Sequence, residues 1–315
     1  MNEQLLLNKM QKSKSEDQEK VLALMNDENY NQHYVPRSIL KNFKREGSPL
    51  FCLRKDKNGH IKGTSIKRLC AQKGFYSFTV VSDKDKNISR KLNYDQKAFT
   101  KLDDKIAPII KNLLDSHSVD VLTNDDKKSL AKYVVYQLFR TPAARQTATS
   151  MSSDESEGKQ IQGLNLLDTD FMNNLSNIIY NLRLKLIEAN EGVNFIISDA
   201  PVLCSPTAEG IYFPISPEYC LCYQKEDTDT LDAICINQLE FSVSCTFNIA
   251  QSESTLIDIR ENKHKEHIEN FCKEAPLSYW KCILSKNYDY LTTKEFEDNI
   301  YDEFKDWLYW LNWLN

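Results

Sequence analysis

Glycine and proline are scarce in this chain, eight and nine in 315 residues. A sandwich of many short strands draws on both residues for its turns, so helices are expected to dominate. No apolar run approaches the ~20 residues of a membrane-spanning helix, and the longest, such as "FIIS" and "YVVYQLF", fall far short. The opening "MNEQLLLNKMQKSKSEDQEK" has neither an extended apolar core nor a small-residue cleavage site, so it does not read as a secretory signal. A cytoplasmic protein with no membrane partner is the expectation. Several familiar signatures are missing as well. The sequence contains no G-x-x-x-x-G-K-[ST], no G-x-G-x-x-G, no G-x-S-x-G and no H-E-x-x-H. That removes the P-loop, the Rossmann fingerprint, the hydrolase elbow and the helical zinc-protease motif.

Cysteine is present but in no metal or redox pattern: the nine residues are odd in number and form no C-x-x-C. Cys220 and Cys222 alternate in "YCLCY" and share one face of a strand. They are expected to be buried thiols. His264 and His267 are three apart on a helical pattern, but Lys, Glu and Asn surround them and no further ligand follows at a zinc spacing.

The net charge of -5 conceals an asymmetry. From Tyr30 to Asp104 there are 17 Lys and Arg against 7 Asp and Glu, or +10, which leaves -15 on the rest. A basic front half is either the footprint of a nucleic-acid surface or a solvated, lysine-rich exterior.

Apolar periodicity predicts an α+β fold, mostly helical, with a small mixed or antiparallel sheet and an N-terminal hairpin unit. Residues 1–29 read as a polar leader helix, 30–275 as one core domain and 276–315 as an acidic, aromatic helical extension. Asn58-Gly59 between extended runs is a hairpin signal. Helices are expected from Asp95 to Leu114, from Thr123 to just before Pro142, from Asp168 to Ala189, from Leu239 to Asp258 and from Lys263 to Lys273. "VNFIISD", "GIYFPIS" and "YCLCY" read as strands. The polar stretch "QTATSMSSDESEGKQ", residues 146–160, reads as a mobile loop or linker. In the last helix Phe304, Trp307, Leu308 and Leu311 form an aromatic and apolar face. It either packs on the domain or joins a second copy of the chain.

Polar residues embedded in apolar elements mark the candidate site. His33 stands at the start of "HYVPRSILKNF", as a metal ligand, a general base or a turn residue. In "YVVYQLFRTPAAR", Gln137 and Arg140 close an otherwise apolar helix. An inward Arg140 requires a carboxylate or a bound anion, because an unpaired buried guanidinium is very costly. Asp199 ends the strand in "FIISDAPV", as a ligand-handling group or as a turn former.

Together "HYVPRSILKNF", "YQLFRTPAAR", "FIISDAPV" and "FPISP" resemble a bacterial family known as the domain of unknown function 4238. Its members begin with His-x-Val-Pro and a short helix ending in Asn-Phe. They carry Gln-x-x-Arg-Thr-Pro near the middle, then Ser-Asp-x-Pro-Val and Pro-Leu-Ser-Pro. The resemblance covers about residues 33–260. The family often has a glutamate in the helix between the first two motifs, where "FTKLDDKIAPII" offers Asp103 or Asp104. The resemblance implies a cytoplasmic bacterial protein, and some members look like single-gene anti-phage defence systems. It brings no reaction with it.

Two functions remain open from the residues. In the first, a defence effector hydrolyses nucleic-acid phosphodiester bonds with Mg or Mn. His33 is then base or metal ligand, Asp199 and Asp103 hold the cation, and Gln137 positions substrate or water. Arg140 clamps the phosphate, with Arg145, Arg37 and Lys41 as further substrate contacts. In the second, a non-enzymatic sensor or binding module uses the same residues as a closed structural network.

Overall fold

β1 (Asn31–His33) leads through Pro36 into α1 (Arg37–Asn42). The structure is a computed structural model that describes residues 31–81, 89–93, 96–150, 152, 154–205, 210–224 and 230–264. β2 (Leu50–Arg54) and β3 (His60–Thr64) form the expected hairpin. Asn58 (φ 51°) and Gly59 (φ 69°) supply its left-handed corner. A single 3₁₀ turn, Ile66–Arg68, follows β3. β4 (Ala71–Lys73) pairs with β1, and β5 (Ser77–Val81) pairs with β6 (Ser89–Asn93).

α2 (Gln96–Ser116) and α3 (Asn124–Phe139) follow. Thr123 caps α3 reciprocally: its hydroxyl accepts from the Asp126 N–H at 3.2 Å, and Asp126 accepts from the Thr123 N–H at 3.0 Å. The stretch read as a loop at 146–160 is instead a helical hairpin, α4 (Pro142–Ser150) and α5 (Glu155–Leu167). Its small residues are what allow close packing. A Cβ on Gly158 would stand 2.6 Å from Thr149 Cα, so polar composition here marks tight contact between helices.

α6 (Thr169–Tyr180) ends earlier than expected and gives way to β7 (Arg183–Glu188). Leu184 and Leu186 register against Tyr223 and Leu221 across the sheet, which draws "RLKLIE" into a strand. β8 (Ile197–Ser198), β9 (Leu203–Ser205), β10 (Gly210–Pro214) and β11 (Tyr219–Gln224) come next. The helix expected at 239–258 is three elements: α7 (Ala233–Val243), β12 (Phe247–Ala250) and α8 (Glu253–Arg260). Asp232 caps α7, accepting from the Cys235 N–H at 2.8 Å, and Ser252 caps α8, accepting from the Thr255 N–H at 3.3 Å.

All strand pairs among the described residues are antiparallel, so the fold is α+β. One sheet has the order β7-β11-β10-β9 and the other β3-β2-β12-β8. α3 lies against the first sheet through Tyr133 and Phe213, ring centroids 5.9 Å apart. It meets α6 through Phe139 and Phe171 at 5.5 Å. A main core joins α1–α3, α5, α6 and the first sheet, while Leu53, Ile196, Phe241, Ala250, Leu256 and Ile259 form a smaller one under α7 and α8. Five cysteines, at 52, 70, 220, 222 and 235, are buried free thiols. No helix of the described residues is long and apolar enough to cross a membrane. The leader, the C-terminal extension, the helix expected at Lys263–Lys273 beyond His264, and His267 lie outside the described residues.

Candidate functional site

Arg140 is the residue at which α3 stops, its N–H still bonded to the Tyr136 carbonyl at 3.0 Å. Pro142 disfavours helical backbone just before it, and the side chain turns inward with no solvent exposure. Nε donates to Gln137 Oε1 at 2.7 Å and Nη2 to Asp103 Oδ1 at 2.9 Å. The Tyr133 hydroxyl is 3.5 Å from Nη2. The rings of Phe99 and Tyr133 flank the guanidinium, their centroids 5.1 and 5.4 Å from Cζ. Nη1 is buried without a hydrogen-bond partner. Burial opposes the charge of Arg140, but Asp103, Tyr133 and Tyr76 outweigh it and hold its pKa above the ordinary value. Burial likewise raises the pKa of Asp103 against the pull of Arg140. Asp103, and not the exposed Asp104, faces the arginine.

Gln137 ties this cluster to the first motif. Its Nε2 donates to the Tyr34 carbonyl at 2.8 Å while its Oε1 receives Arg140. The Tyr76 hydroxyl adds a second tie, 3.2 Å from the Arg140 carbonyl and 3.5 Å from that of His33. The His33 ring is half-buried with Nε2 unpartnered. Burial lowers its pKa, the Ile66 backbone works the other way, and Arg37 lowers it again.

Asp199 belongs to a second network. It is fully buried, and three backbone N–H groups converge on its carboxylate: Cys245 at 2.8 Å, Thr246 at 2.7 Å and Phe247 at 3.1 Å. Its own N–H donates to the Phe247 carbonyl at 3.1 Å. The carboxylate thus holds the turn between α7 and β12. Lys55 completes that turn, donating to the carbonyls of Ser242 at 3.2 Å and Ser244 at 2.8 Å and lying over the Phe241 ring. Burial pushes Asp199 up to about 6, against the three N–H groups and Lys55. Burial brings Lys55 down to about 8, Asp199 pulling the other way.

The structure therefore brings the side chains of Gln137, Arg140 and Asp103 together, ties His33 to them only through its backbone carbonyl at the Tyr76 hydroxyl, and sets Asp199 apart with Lys55. The Asp199 carboxylate is held by the N–H groups of Cys245, Thr246 and Phe247, and the Arg140 guanidinium by Gln137 and Asp103. Tyr34 stands between the networks, its carbonyl bonded to Gln137 and its phenol within reach of the Asp199 charge. Positive ends of backbone dipoles point at both Asp199 oxygens, a surrounding that repels a cation. Among the described residues no three His, Cys, Asp or Glu side chains form a metal-binding group.

Of the other basic candidates, Arg145 is half-buried and engaged by protein groups. Its Nε donates to Gln162 at 3.0 Å, its Nη2 donates to the Phe75 carbonyl, and its guanidinium stacks 3.8 Å from the Phe75 ring centroid. Burial pushes its pKa down to about 10. Arg37 and Lys41 are exposed, one turn apart on α1, with Lys44 and Arg45 exposed just beyond. A cleft of about 110 Å³ beside Asn194, Asn237, Asp258 and His264 includes none of the motif side chains.

Sequence reasoning missed Lys55, Tyr76 and Tyr34. Lys55 sits in a run of charges at a hairpin, and nothing local distinguishes it from its solvated neighbours. Tyr76 and Tyr34 read as ordinary aromatic core, and their hydrogen bonds run across 64 and 103 positions of sequence.

A family model described as "Protein of unknown function (DUF4238)" matches residues 31–166 and 159–271. The chain belongs to the DUF4238 family. The two matched segments meet within α5, so DUF4238 takes in both networks and both four-stranded sheets. No curated protein and no solved structure matches this DUF4238 chain.

Proposed function

We propose that this protein is a nucleic-acid-binding or sensing module, in which the motif side chains form the frame and the exposed cations of the front half meet the ligand. One observation carries the reading. Arg140 and Asp199 are wholly enclosed and engaged by protein groups, whereas Arg37, Lys41, Lys44 and Arg45 face solvent in succession. Cations in that arrangement suit a polyanion through phosphate contacts, which are sequence-independent and salt-sensitive. The family resemblance suggests anti-phage defence as the setting. The test is a salt titration of nucleic-acid binding by the full chain. Arg37→Glu with Lys41→Glu is expected to weaken binding and to lower the slope of log affinity against log salt, by roughly 0.9 for each phosphate no longer neutralised. An unchanged affinity and slope would overturn the proposal.

A second reading, hydrolysis of phosphodiesters by a defence effector with Mg or Mn, is favoured by two nitrogens. Arg140 Nη1 and His33 Nε2 are buried without a protein partner on segments that the Tyr76 hydroxyl joins. Incubation with RNA and DNA in either metal separates the readings. The module is expected to leave both intact, and cleavage that disappears in His33→Ala would establish the second reading.

A further inference from the structure

Glu240, on α7, has no solvent exposure, and neither carboxyl oxygen has a hydrogen-bond partner. Asn248 on β12 is equally enclosed, and its Oδ1 is also unpartnered. Ser198 and Ser244 each link the two residues. Glu240 lies against Ser198, close enough for that residue's hydroxyl and backbone to influence its ionisation without meeting hydrogen-bond geometry. Ser198 is the cross-strand neighbour of Asn248, so both side chains leave the same face of the β8–β12 pair. Asn248 Nδ2 in turn donates to Ser244 Oγ at 2.8 Å, and Ser244 lies one turn beyond Glu240 on α7. Three unpartnered acceptor oxygens thus lie along one buried seam between α7 and the β8–β12 pair, on either side of Ser198 and Ser244.

Buried polar atoms are almost always paired, and a group of unpaired acceptors calls for a missing donor. A single proton on Glu240 supplies it, because a protonated carboxyl is a donor as well as an acceptor. The titratable groups facing Glu240 are Asp199 and the thiols of Cys70 and Cys220. None of them is a cation, so an ionised Glu240 would stand uncompensated beside Asp199.

We infer that Glu240 is held as a neutral carboxylic acid donating to Asn248 Oδ1, a pH-sensitive latch between α7 and the β8–β12 pair. The latch sits one turn before the Ser244–Phe247 corner that Asp199 and Lys55 hold, so its opening loosens the same corner. Burial, partly offset by Ser198 and reinforced by Asp199, pushes Glu240 up to about 8.

The folded chain then carries a proton that the unfolded chain, with an ordinary carboxyl, has lost. Stability must therefore fall as pH rises towards 8, the folding constant dropping about tenfold per pH unit. The experiment is urea unfolding of the full chain at intervals from pH 6.5 to 8. The native chain is expected to lose stability relative to Glu240→Gln by about that factor, because the contributions of Lys55, Asp199 and His33 are common to both proteins. Equal slopes overturn the latch. Infrared difference spectra of the native chain between pH 6.5 and 9 give a readout that needs no variant. A protonated-carboxyl band lost with a midpoint near 8 is expected, and its absence at pH 6.5 overturns the latch. So does stabilisation by magnesium that Glu240→Gln abolishes, because a cation would then occupy the space.

Discussion

Arg140 and Asp103 form an ion pair of 2.9 Å in which the arginine has no exposure and the aspartate side chain keeps 23% of its own. Such a pair adds little stability relative to an apolar substitute, but breaking it leaves a buried charge without compensation, at about 3–5 kcal/mol. Asp103→Ala is therefore expected to destabilise the protein by roughly that amount, read by urea unfolding. Asp104→Ala, at the exposed neighbour, should fall within about 0.5 kcal/mol of the native chain.

Asp199 satisfies three backbone N–H groups at once. Asp199→Ala strands them in the interior, at about 1–3 kcal/mol for each unsatisfied group. Hydrogen exchange at Cys245, Thr246 and Phe247 is expected to accelerate well beyond exchange in α3. Uniform acceleration across the chain would contradict a clamp confined to this corner.

Gly158 has no room for a methyl group. An added Cβ would lie 2.6 Å from Thr149 Cα and 2.8 Å from its backbone nitrogen, so backbone must move. Gly158→Ala is expected to cost about 1–3 kcal/mol, although alanine is the better helix former. A variant as stable as the native chain would mean that α4 and α5 are not packed this closely.

Lys55 makes stability depend on pH at the alkaline end. Its folded pKa, brought down to about 8 from an ordinary 10.5, means that the unfolded chain binds the extra proton between those values. Stability should therefore rise with pH from about 8 to about 10.5 on account of this residue. Lys55→Met removes that contribution, and unfolding curves of the two proteins across the interval are the check.

The class of fold was legible because α2 keeps a clear helical period, and Asn58-Gly59 together with the Thr123 cap mark their own corners. β7 was not, since "RLKLIE" becomes a strand through its register with β11, a pairing made across more than thirty residues. Composition misled at 146–160, where small polar residues serve helix contact instead of a loop. In the site, the sequence stated the condition for an inward Arg140, a carboxylate or an anion, but not which one. Asp103 meets it because α2 turns that residue towards α3 and leaves Asp104 outside. Nor could the sequence separate Asp199 from the other motif residues, because its partners are backbone amides, which carry no residue signature. Glu240 did leave a trace: an acid one turn after Ile236 in the apolar "AICINQLEF".

Whether the motif side chains frame the fold is tested most directly by the unfolding free energy of Arg140→Ala. Loss of the buried guanidinium, its hydrogen bonds to Gln137 and Asp103 and its packing between Phe99 and Tyr133 is expected to remove about 3–5 kcal/mol. A variant that unfolds with the native free energy yet has lost its biological activity would contradict a framing role and place Arg140 in a working site.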